Sequence, residues 1–224
     1  MLPLDAAQST YLFGVMRRKP GDELRVFDGQ GGEWLAEVAK ANKRNGLLLC
    51  KKAVAPQVTP PDLWLLFAPI KKARMAFMVE KAVEMGVRKL LPVLTGFTNE
   101  RINIGRMQAH AVEAAEQCGA TFVPDVAEPV KLLELLENWP ENRKLLFCDE
   151  SRQALPIATA LAAQSAGPWA IVIGPEGGFS PDEVVALRRL QAVVSVSLGP
   201  RILRADTAAM AAITAWQMAL GDWR

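Results

Sequence analysis

Two arginines with catalytic or binding potential, Arg201 and Arg204, lie between an apolar run and a helical stretch, just after Gly199-Pro200. A guanidinium group stays protonated and donates hydrogen bonds in a planar fork, so it can bind anions or stabilise developing negative charge. A Gly-Pro pair ends a strand and turns the chain. We therefore treat both arginines as candidate functional residues.

A second loop of the same kind comes earlier, from Gly174-Pro175 to Ser180. Gly177 and Gly178 carry no side chains, so backbone amide and carbonyl groups can approach a flat or polar ligand closely. Neither loop has the spacing of a phosphate-binding loop or of a dinucleotide-binding glycine motif. The two loops together indicate a small-molecule site, and the alternative is a pair of tight strand-to-helix turns.

Two short apolar runs must position these loops, at residues 170–173 and 193–198. Both are rich in β-branched residues, which predicts buried strands. Two strand-to-helix loops so close in sequence should lie side by side at the carboxyl edge of one sheet. Open α/β sheets bind their ligands at this edge.

Each loop leads into a predicted helix. Ser180 is the expected N-cap of the first helix, and Glu183 completes a capping box with it. For the second helix we expect Asp206 or Thr207 as the cap and a helix over about 208–220. The apolar residues of that helix could form a dimer face or could belong to the core.

The middle of the chain alternates between strand and helix patterns. Strands are predicted at 63–68, 90–94 and 145–148, and helices at 74–85 and 104–118. This alternation predicts an α/β fold with a parallel sheet and helices on both faces.

Residues 1–58 have a different character. Strand-like segments at 23–27, 33–38 and 47–54, separated by turn signals, predict a small β-barrel. A proline-rich linker separates this domain from the second one, predicted at 62–224. Nine Lys and Arg residues stand against six Asp and Glu residues in the first domain, so it is modestly basic. Its cluster Arg17-Arg18-Lys19 could follow a phosphate backbone or be an ordinary solvated surface.

Several classes of protein are excluded by composition. No run of 18 uncharged apolar residues and no signal-peptide pattern is present, which predicts a cytoplasmic protein without membrane association. Three widely spaced cysteines fit a reducing compartment, and a single histidine argues against a metal site.

The stretches Ile173-Gly-Pro-Glu-Gly-Gly-Phe-Ser180 and Leu198-Gly-Pro-Arg-Ile-Leu-Arg-Ala-Asp-Thr-Ala208 resemble the signature of the SPOUT methyltransferases. More narrowly, they resemble the bacterial family that methylates uridine N3 in small-subunit ribosomal RNA. Matching stretches such as Glu113-Ala-Ala-Glu-Gln-Cys-Gly119 extend the resemblance over nearly the whole chain, and residues 1–58 resemble the PUA-like RNA-binding domain of the family.

This resemblance implies a trefoil-knotted parallel-sheet domain, a homodimer and S-adenosyl-L-methionine as the methyl donor. The cofactor-binding residues that it implies are Ile173, Gly174, Glu176, Gly178, Leu198, Gly199, Ile202, Leu203, Thr207 and Ala208. It implies catalytic roles for Arg204 and Arg201, which can stabilise the uracil anion or hold a phosphate. The family usually has Glu where this chain has Asp206, which favours a capping role for Asp206.

The implied partner is small-subunit ribosomal RNA or the 30S particle, with phosphate contacts from Lys71, Lys72 and Arg74 in addition to the basic cluster at 17–19. Family members usually have a basic, aromatic stretch before the first helix, whereas here a helix is expected from about Ala6. If the first strand is missing, we expect weaker RNA binding.

Two other functions stay open at this point. A ribose 2′-O-methyltransferase would have the same fold and cofactor. A non-catalytic RNA-binding assembly factor would keep the fold without turnover, and measurement of cofactor binding separates it from the enzymes.

Overall fold

The protein, seen in a computed structural model that describes residues 1–151 and 153–224, divides into two compact units. The first spans Met1–Thr59 and the second spans Pro60–Arg224. No helix among the described residues has the length and apolar character needed to cross a membrane.

The first unit combines one small antiparallel sheet with a short helical segment. Its elements are β1 (Leu2–Pro3), α1 (Ala6–Thr10), a π-helical turn (Tyr11–Val15), β2 (Glu23–Phe27), β3 (Glu33–Lys40) and β4 (Leu47–Ala55). The strands pair in the order β1-β4-β3-β2. Strand β1 therefore is present ahead of the helix and pairs with Leu47 and Leu48.

The core of this unit lies between the helical segment and the sheet. Phe13 packs with Ala36, Val38 and Leu48, all buried. Three shifts of register interrupt the pairing of β3 with β4. Such bulges bend a strand and increase its twist, so they help the sheet to wrap around Phe13.

The second unit is an α/β domain. Its elements are β5 (Leu63–Phe67), α2 (Lys72–Glu84), β6 (Lys89–Leu94), α3 (Ile104–Cys118), β7 (Asp125–Val126), β8 (Val130–Lys131), α4 (Leu132–Glu137), β9 (Lys144–Cys148), β10 (Leu155–Pro156), α5 (Ile157–Ala162), β11 (Trp169–Ile173), α6 (Pro181–Arg189), β12 (Val193–Ser197) and α7 (Ala205–Leu220).

The sheet of this domain is parallel throughout its order β10-β12-β9-β11-β5-β6-β7, and β8 adds a further parallel pair to β6. Ala170 and Val172 face a cluster that includes Leu187 of α6 and Leu136 of α4. Ile171 points to the opposite face, because strand residues alternate, and is equally buried. Helix α7 packs against β11 and α2, so both faces of the sheet are covered.

The sequence predicted the long elements correctly. Ser180 caps α6 by accepting a hydrogen bond from the Glu183 amide, and the Glu183 carboxylate accepts one from the Ser180 amide. Helix α3 has the predicted bounds, and Gly119 ends it in the left-handed conformation. The predicted strands at 63–68, 145–148, 170–173 and 193–198 are present to within one residue at each end.

The expected start of α7 was wrong. The helix begins at Ala205, and its N-cap is Arg204, whose backbone is extended and whose side chain makes no capping hydrogen bond. Asp206 lies in the first turn, where its carboxylate accepts a hydrogen bond from the Thr207 amide at 2.9 Å. A carboxylate in the first turn interacts favourably with the positive end of the helix dipole without being the cap. Arg204 is therefore held at the junction of loop and helix.

Candidate functional site

The two Gly-Pro loops meet at the carboxyl edge of the sheet. Strands β11 and β12 both pair with β9, so the loops that follow them lie on either side of the end of β9. Between them is a cavity of about 220 Å³. It is lined by Cys148, Asp149, Glu150, Val172, Ile173, Gly174, Pro175, Glu176, Phe179, Ser197, Leu198, Gly199, Arg201, Ile202, Leu203, Arg204, Ala205 and Ala208.

Most residues that the sequence nominated for the cofactor are brought together in this lining: Ile173, Gly174, Glu176, Leu198, Gly199, Ile202, Leu203 and Ala208, with Arg201 and Arg204 beside them. Two nominated residues stand apart from the lining. Thr207 is exposed on the first turn of α7. Gly178 is buried within the loop, where its amide donates to the carbonyl of Pro175 at 2.9 Å.

The glycines of the first loop have specific structural roles. Gly178 has φ +72°, and a Cβ atom placed there would lie 3.5 Å from Oε2 of Glu150. A Cβ atom at Gly174 would lie 2.9 Å from the ring of Phe179. Glycine at 174 lets the loop fold tightly against the Phe179 ring, and glycine at 178 adopts a left-handed conformation that other residues rarely adopt.

Sequence reasoning missed part of the apolar wall. Phe179 packs edge-on against Phe147, with ring centroids 5.6 Å apart and planes at 76°. Cys148 also lines the cavity, at the end of β9, and burial of its thiol raises the pKa to about 12. The thiol therefore stays neutral at physiological pH. The predicted strand at 145–148 was the signal that could have placed Cys148 at this edge.

Asp149 and Glu150 follow β9, and their side chains differ in exposure and in partners. The Asp149 carboxylate is almost fully buried and bonds the Arg188 guanidinium at 2.7 Å. Burial raises the pKa of Asp149, but the Ser151 amide and the Arg188 guanidinium together outweigh that effect and hold it below its usual value. Asp149 is therefore committed to an ion pair, which leaves Glu150 as the available carboxylate of the two at the cavity.

A second, wider cleft adjoins the first cavity and has a volume of about 670 Å³. It is lined by Pro69, Lys71, Arg74, Phe97, Asn99, Glu100, Pro175, Glu176, Gly177 and Arg204. Arg204, Glu176 and Pro175 line both spaces, so the two are adjacent. Arg74 and Glu176 form a loose ion pair at 4.0 Å across the cleft.

The predicted RNA-binding residues fall into two groups. Lys71 and Arg74 line the wider cleft, whereas Lys72 is exposed at the start of α2. Arg17, Arg18 and Lys19 lie in the first unit, in the turn before β2. Arg17 has φ +56°, which is uncommon for a residue other than glycine.

The described residues include no group of three or more His, Cys, Asp or Glu side chains placed to hold a metal ion. The site at the sheet edge is thus a cavity walled by backbone, apolar and arginine groups, adjacent to a cleft with cationic side chains.

Comparison with known families identifies the class of protein that this fold and site define. Residues 57–217 match the model of an RNA methyltransferase domain. Residues 4–48 match the model of an RNA methyltransferase PUA domain. The second α/β unit thus corresponds to the methyltransferase domain and the small antiparallel unit to the PUA domain.

Similarity to individual proteins identifies the family within this class more closely. The chain is 32% identical over 205 residues to ribosomal RNA small subunit methyltransferase E of Rickettsia conorii, covering 91% of this chain and 83% of that protein. It is also 32% identical over 216 residues to the enzyme of the same name in Synechocystis, covering 94% and 70%. The crystal structure of ribosomal RNA small subunit methyltransferase E of Neisseria gonorrhoeae bound to S-adenosyl methionine superposes with a TM-score of 0.89 at 26% identity, covering 100% and 93%. The chain belongs to the family of small-subunit ribosomal RNA methyltransferases E.

Proposed function

We propose that the protein transfers a methyl group from S-adenosyl-L-methionine to N3 of a uridine in small-subunit ribosomal RNA. The observation that carries this proposal is that Arg204 lines both spaces at the sheet edge. It stands between a cavity suited to the methyl donor and a cleft suited to a nucleotide. Family membership supports the substrate, and the likeness to a structure that contains S-adenosyl methionine supports the cofactor.

The cavity fits the methyl donor chemically. Its wall combines backbone groups around Gly174 and Gly199 with the apolar side chains of Ile202 and Leu203. Such a wall can enclose a purine and hydrogen-bond its edge, and Glu150 and Glu176 supply carboxylates that can attract a sulfonium cation. Ile173, Leu198 and Ala208 complete the contact set, while Gly178 and Thr207 support it from outside the lining. When bound, the cofactor supplies the electrophilic methyl group.

Arg204 has the main catalytic role in this proposal. Uridine N3 must lose its proton before it can accept a methyl group, and negative charge then spreads to the ring oxygens. Arg204 cannot accept that proton, because guanidinium stays protonated, but it can stabilise the anion through charge-assisted hydrogen bonds. Arg201 lies in the same lining and can assist or hold the neighbouring phosphate.

The RNA must present an unpaired or extruded uridine, because N3 lies on the base-pairing edge. Lys71 and Arg74 lie in the cleft where the phosphates around such a nucleotide would pass, and Lys72 continues this basic surface. The Arg17-Arg18-Lys19 turn of the PUA unit provides a second basic surface for the RNA. We propose ribosomal RNA of the small subunit or the 30S particle as the partner, and this substrate supports a location in the cytoplasm.

The active unit is proposed to be a homodimer. Ile213 and Trp216 of α7 are buried in the domain core, so they serve packing within one chain. Met218 on the same helix and Ile202 in the site loop are largely exposed. Their exposure supports a contact with a second copy beside the site.

A methyl-transfer assay tests the function. Small subunits from cells that lack the protein receive labelled S-adenosyl-L-methionine, and the wild type is compared with Arg204→Ala and with Arg189→Ala, an exposed arginine on α6. Loss of one preorganised donor lowers kcat by about 10²–10³. We expect such a loss for Arg204→Ala with unchanged cofactor affinity, and near-wild-type activity for Arg189→Ala. Cofactor binding without transfer by the wild type would instead favour the non-catalytic assembly factor.

A further inference from the structure

A short turn between β6 and α3 presents an aromatic ring at the wider cleft. The Thr98 amide donates to the Thr95 carbonyl at 3.1 Å, and the Thr95 amide donates to the Thr98 hydroxyl at 2.9 Å. Phe97 lies inside this closed turn and is part of the cleft lining. The turn therefore fixes the backbone that carries the ring.

The same turn is tied to the loop that forms the cofactor cavity. The Gly96 amide donates to the buried Glu183 carboxylate at 2.8 Å, and this carboxylate also caps α6 just after the loop. A Cβ atom at Gly177 would lie 3.3 Å from the Cβ of Phe97, so glycine there allows the loop and the turn to approach closely. Phe97 is thus held in a defined place beside the loop.

Phe97 is nevertheless 45% exposed. A fixed, exposed aromatic ring in a cleft that also contains Lys71, Arg74 and Arg204 has the features of a nucleic-acid stacking site. Aromatic rings stack on the flat faces of unpaired bases, while cations beside them hold the phosphates. Asn99, in the same lining, carries both a donor and an acceptor, which match the edge of a uracil ring.

On the basis of the proposed function, we propose that Phe97 is the stacking surface for the base that becomes methylated. The base lies in the wider cleft with one face on Phe97, and its N3 edge is directed toward Arg204 at the junction with the cofactor cavity. Phe97 holds the nucleotide in position and takes no part in proton or methyl transfer.

Three variants test this role. Phe97→Ala removes the ring, Phe97→Tyr retains it, and Phe77→Ala removes an equally exposed phenylalanine on α2, 43% exposed, as the matched control. Loss of one stacking contact predicts a fall in kcat/KM for RNA of about tenfold to a hundredfold in Phe97→Ala. Phe97→Tyr and Phe77→Ala should stay within about threefold of the wild type. Cofactor affinity and the melting temperature of Phe97→Ala should match the wild type.

A second readout does not depend on turnover. Once the modified nucleotide is located, an RNA fragment with 5-iodouridine at that position is irradiated with the protein, and cross-linked peptides are sequenced. We expect the cross-link at Phe97. Cross-linking elsewhere, or wild-type kinetics in Phe97→Ala, would overturn the stacking role of Phe97. The proposed function would still stand in that case if the wild type formed 3-methyluridine. A different modified nucleoside would overturn the proposed function, and the affinity of Phe97→Ala for RNA would still decide the stacking role.

Discussion

Glu183 connects the helix that follows the cofactor loop to the turn that carries Phe97. Glu183 is 3% exposed, and its carboxylate accepts two short hydrogen bonds from backbone amides, from Ser180 at 2.8 Å and from Gly96 at 2.8 Å. Each bond to a carboxylate contributes about 1.5–3 kcal/mol to stability. In Glu183→Gln, one amide keeps a neutral acceptor and the other faces the new NH₂ group. We therefore expect a loss of about 2–4 kcal/mol.

Equilibrium urea unfolding measures this loss, and thermal unfolding should show a melting temperature lower by about 5–15 °C, given the size of the domain. Ser180→Ala is the matched control, because it removes only the weaker half of the capping box, a 3.3 Å bond with a typical contribution of about 1 kcal/mol. Because the Phe97 turn loses its anchor, Glu183→Gln should also raise KM for RNA more than it raises the Kd of the cofactor. A loss of stability in Glu183→Gln no greater than in Ser180→Ala would refute this reasoning.

Three further predictions concern residues around the cofactor cavity. Gly178→Ala should destabilise the protein by about 1–2 kcal/mol in urea unfolding and weaken cofactor binding in calorimetry, because φ is +72° there; unchanged values would show that the loop tolerates the strain. At pH 8, iodoacetamide should modify the exposed Cys118 at least about tenfold faster than Cys148, because the Cys148 thiol, with a pKa of about 12, forms little of the reactive thiolate. Equal rates of modification, measured by mass spectrometry, would contradict the burial of Cys148. Asp149→Asn should destabilise the protein at pH 7, because the Ser151 amide and the Arg188 guanidinium stabilise the Asp149 carboxylate and hold its pKa below the usual value despite burial. That stability is present above the unfolded pKa of about 3.9 and is lost as the pH falls, so the difference should vanish in acid. A difference that persists at low pH would contradict this pairing.

The carboxyl-edge site was predictable because its signals are local. A β-branched strand, a Gly-Pro turn and the Ser180–Glu183 capping box are each read over a few residues, and the structure has all three. Two strand–turn–helix segments in succession were enough to place both loops at one sheet edge. Ten of the twelve residues proposed for cofactor and catalysis line the cavity there.

The start of α7 shows where local reasoning failed. Asp206 and Thr207 have the preferred chemistry of N-caps, yet the helix begins at Ala205. An extended Arg204 backbone lets the helix start earlier, and no side-chain cap is made there. Cap preference is worth only about 1 kcal/mol, so the path of the preceding loop can override it.

The wider cleft was only partly predictable, because it depends on contacts between distant parts of the chain. Lys71 and Arg74 were identified as a basic loop, but nothing near Phe97 in sequence marked it as a site residue. Its position follows from the bond between Gly96 and Glu183, which lie 87 residues apart. The trefoil knot and the homodimer, which the resemblance implied, stay predictions.

The most direct test of the account is the identity of the modified nucleoside. Small subunits from cells lacking the protein are treated with the purified wild type and S-adenosyl-L-methionine, and their ribosomal RNA is digested and analysed by mass spectrometry. The account predicts 3-methyluridine, formed about 10²–10³ times more slowly when Arg204→Ala replaces the wild type. A 2′-O-methylated nucleoside would keep the methyltransferase fold and contradict uridine N3 as the target.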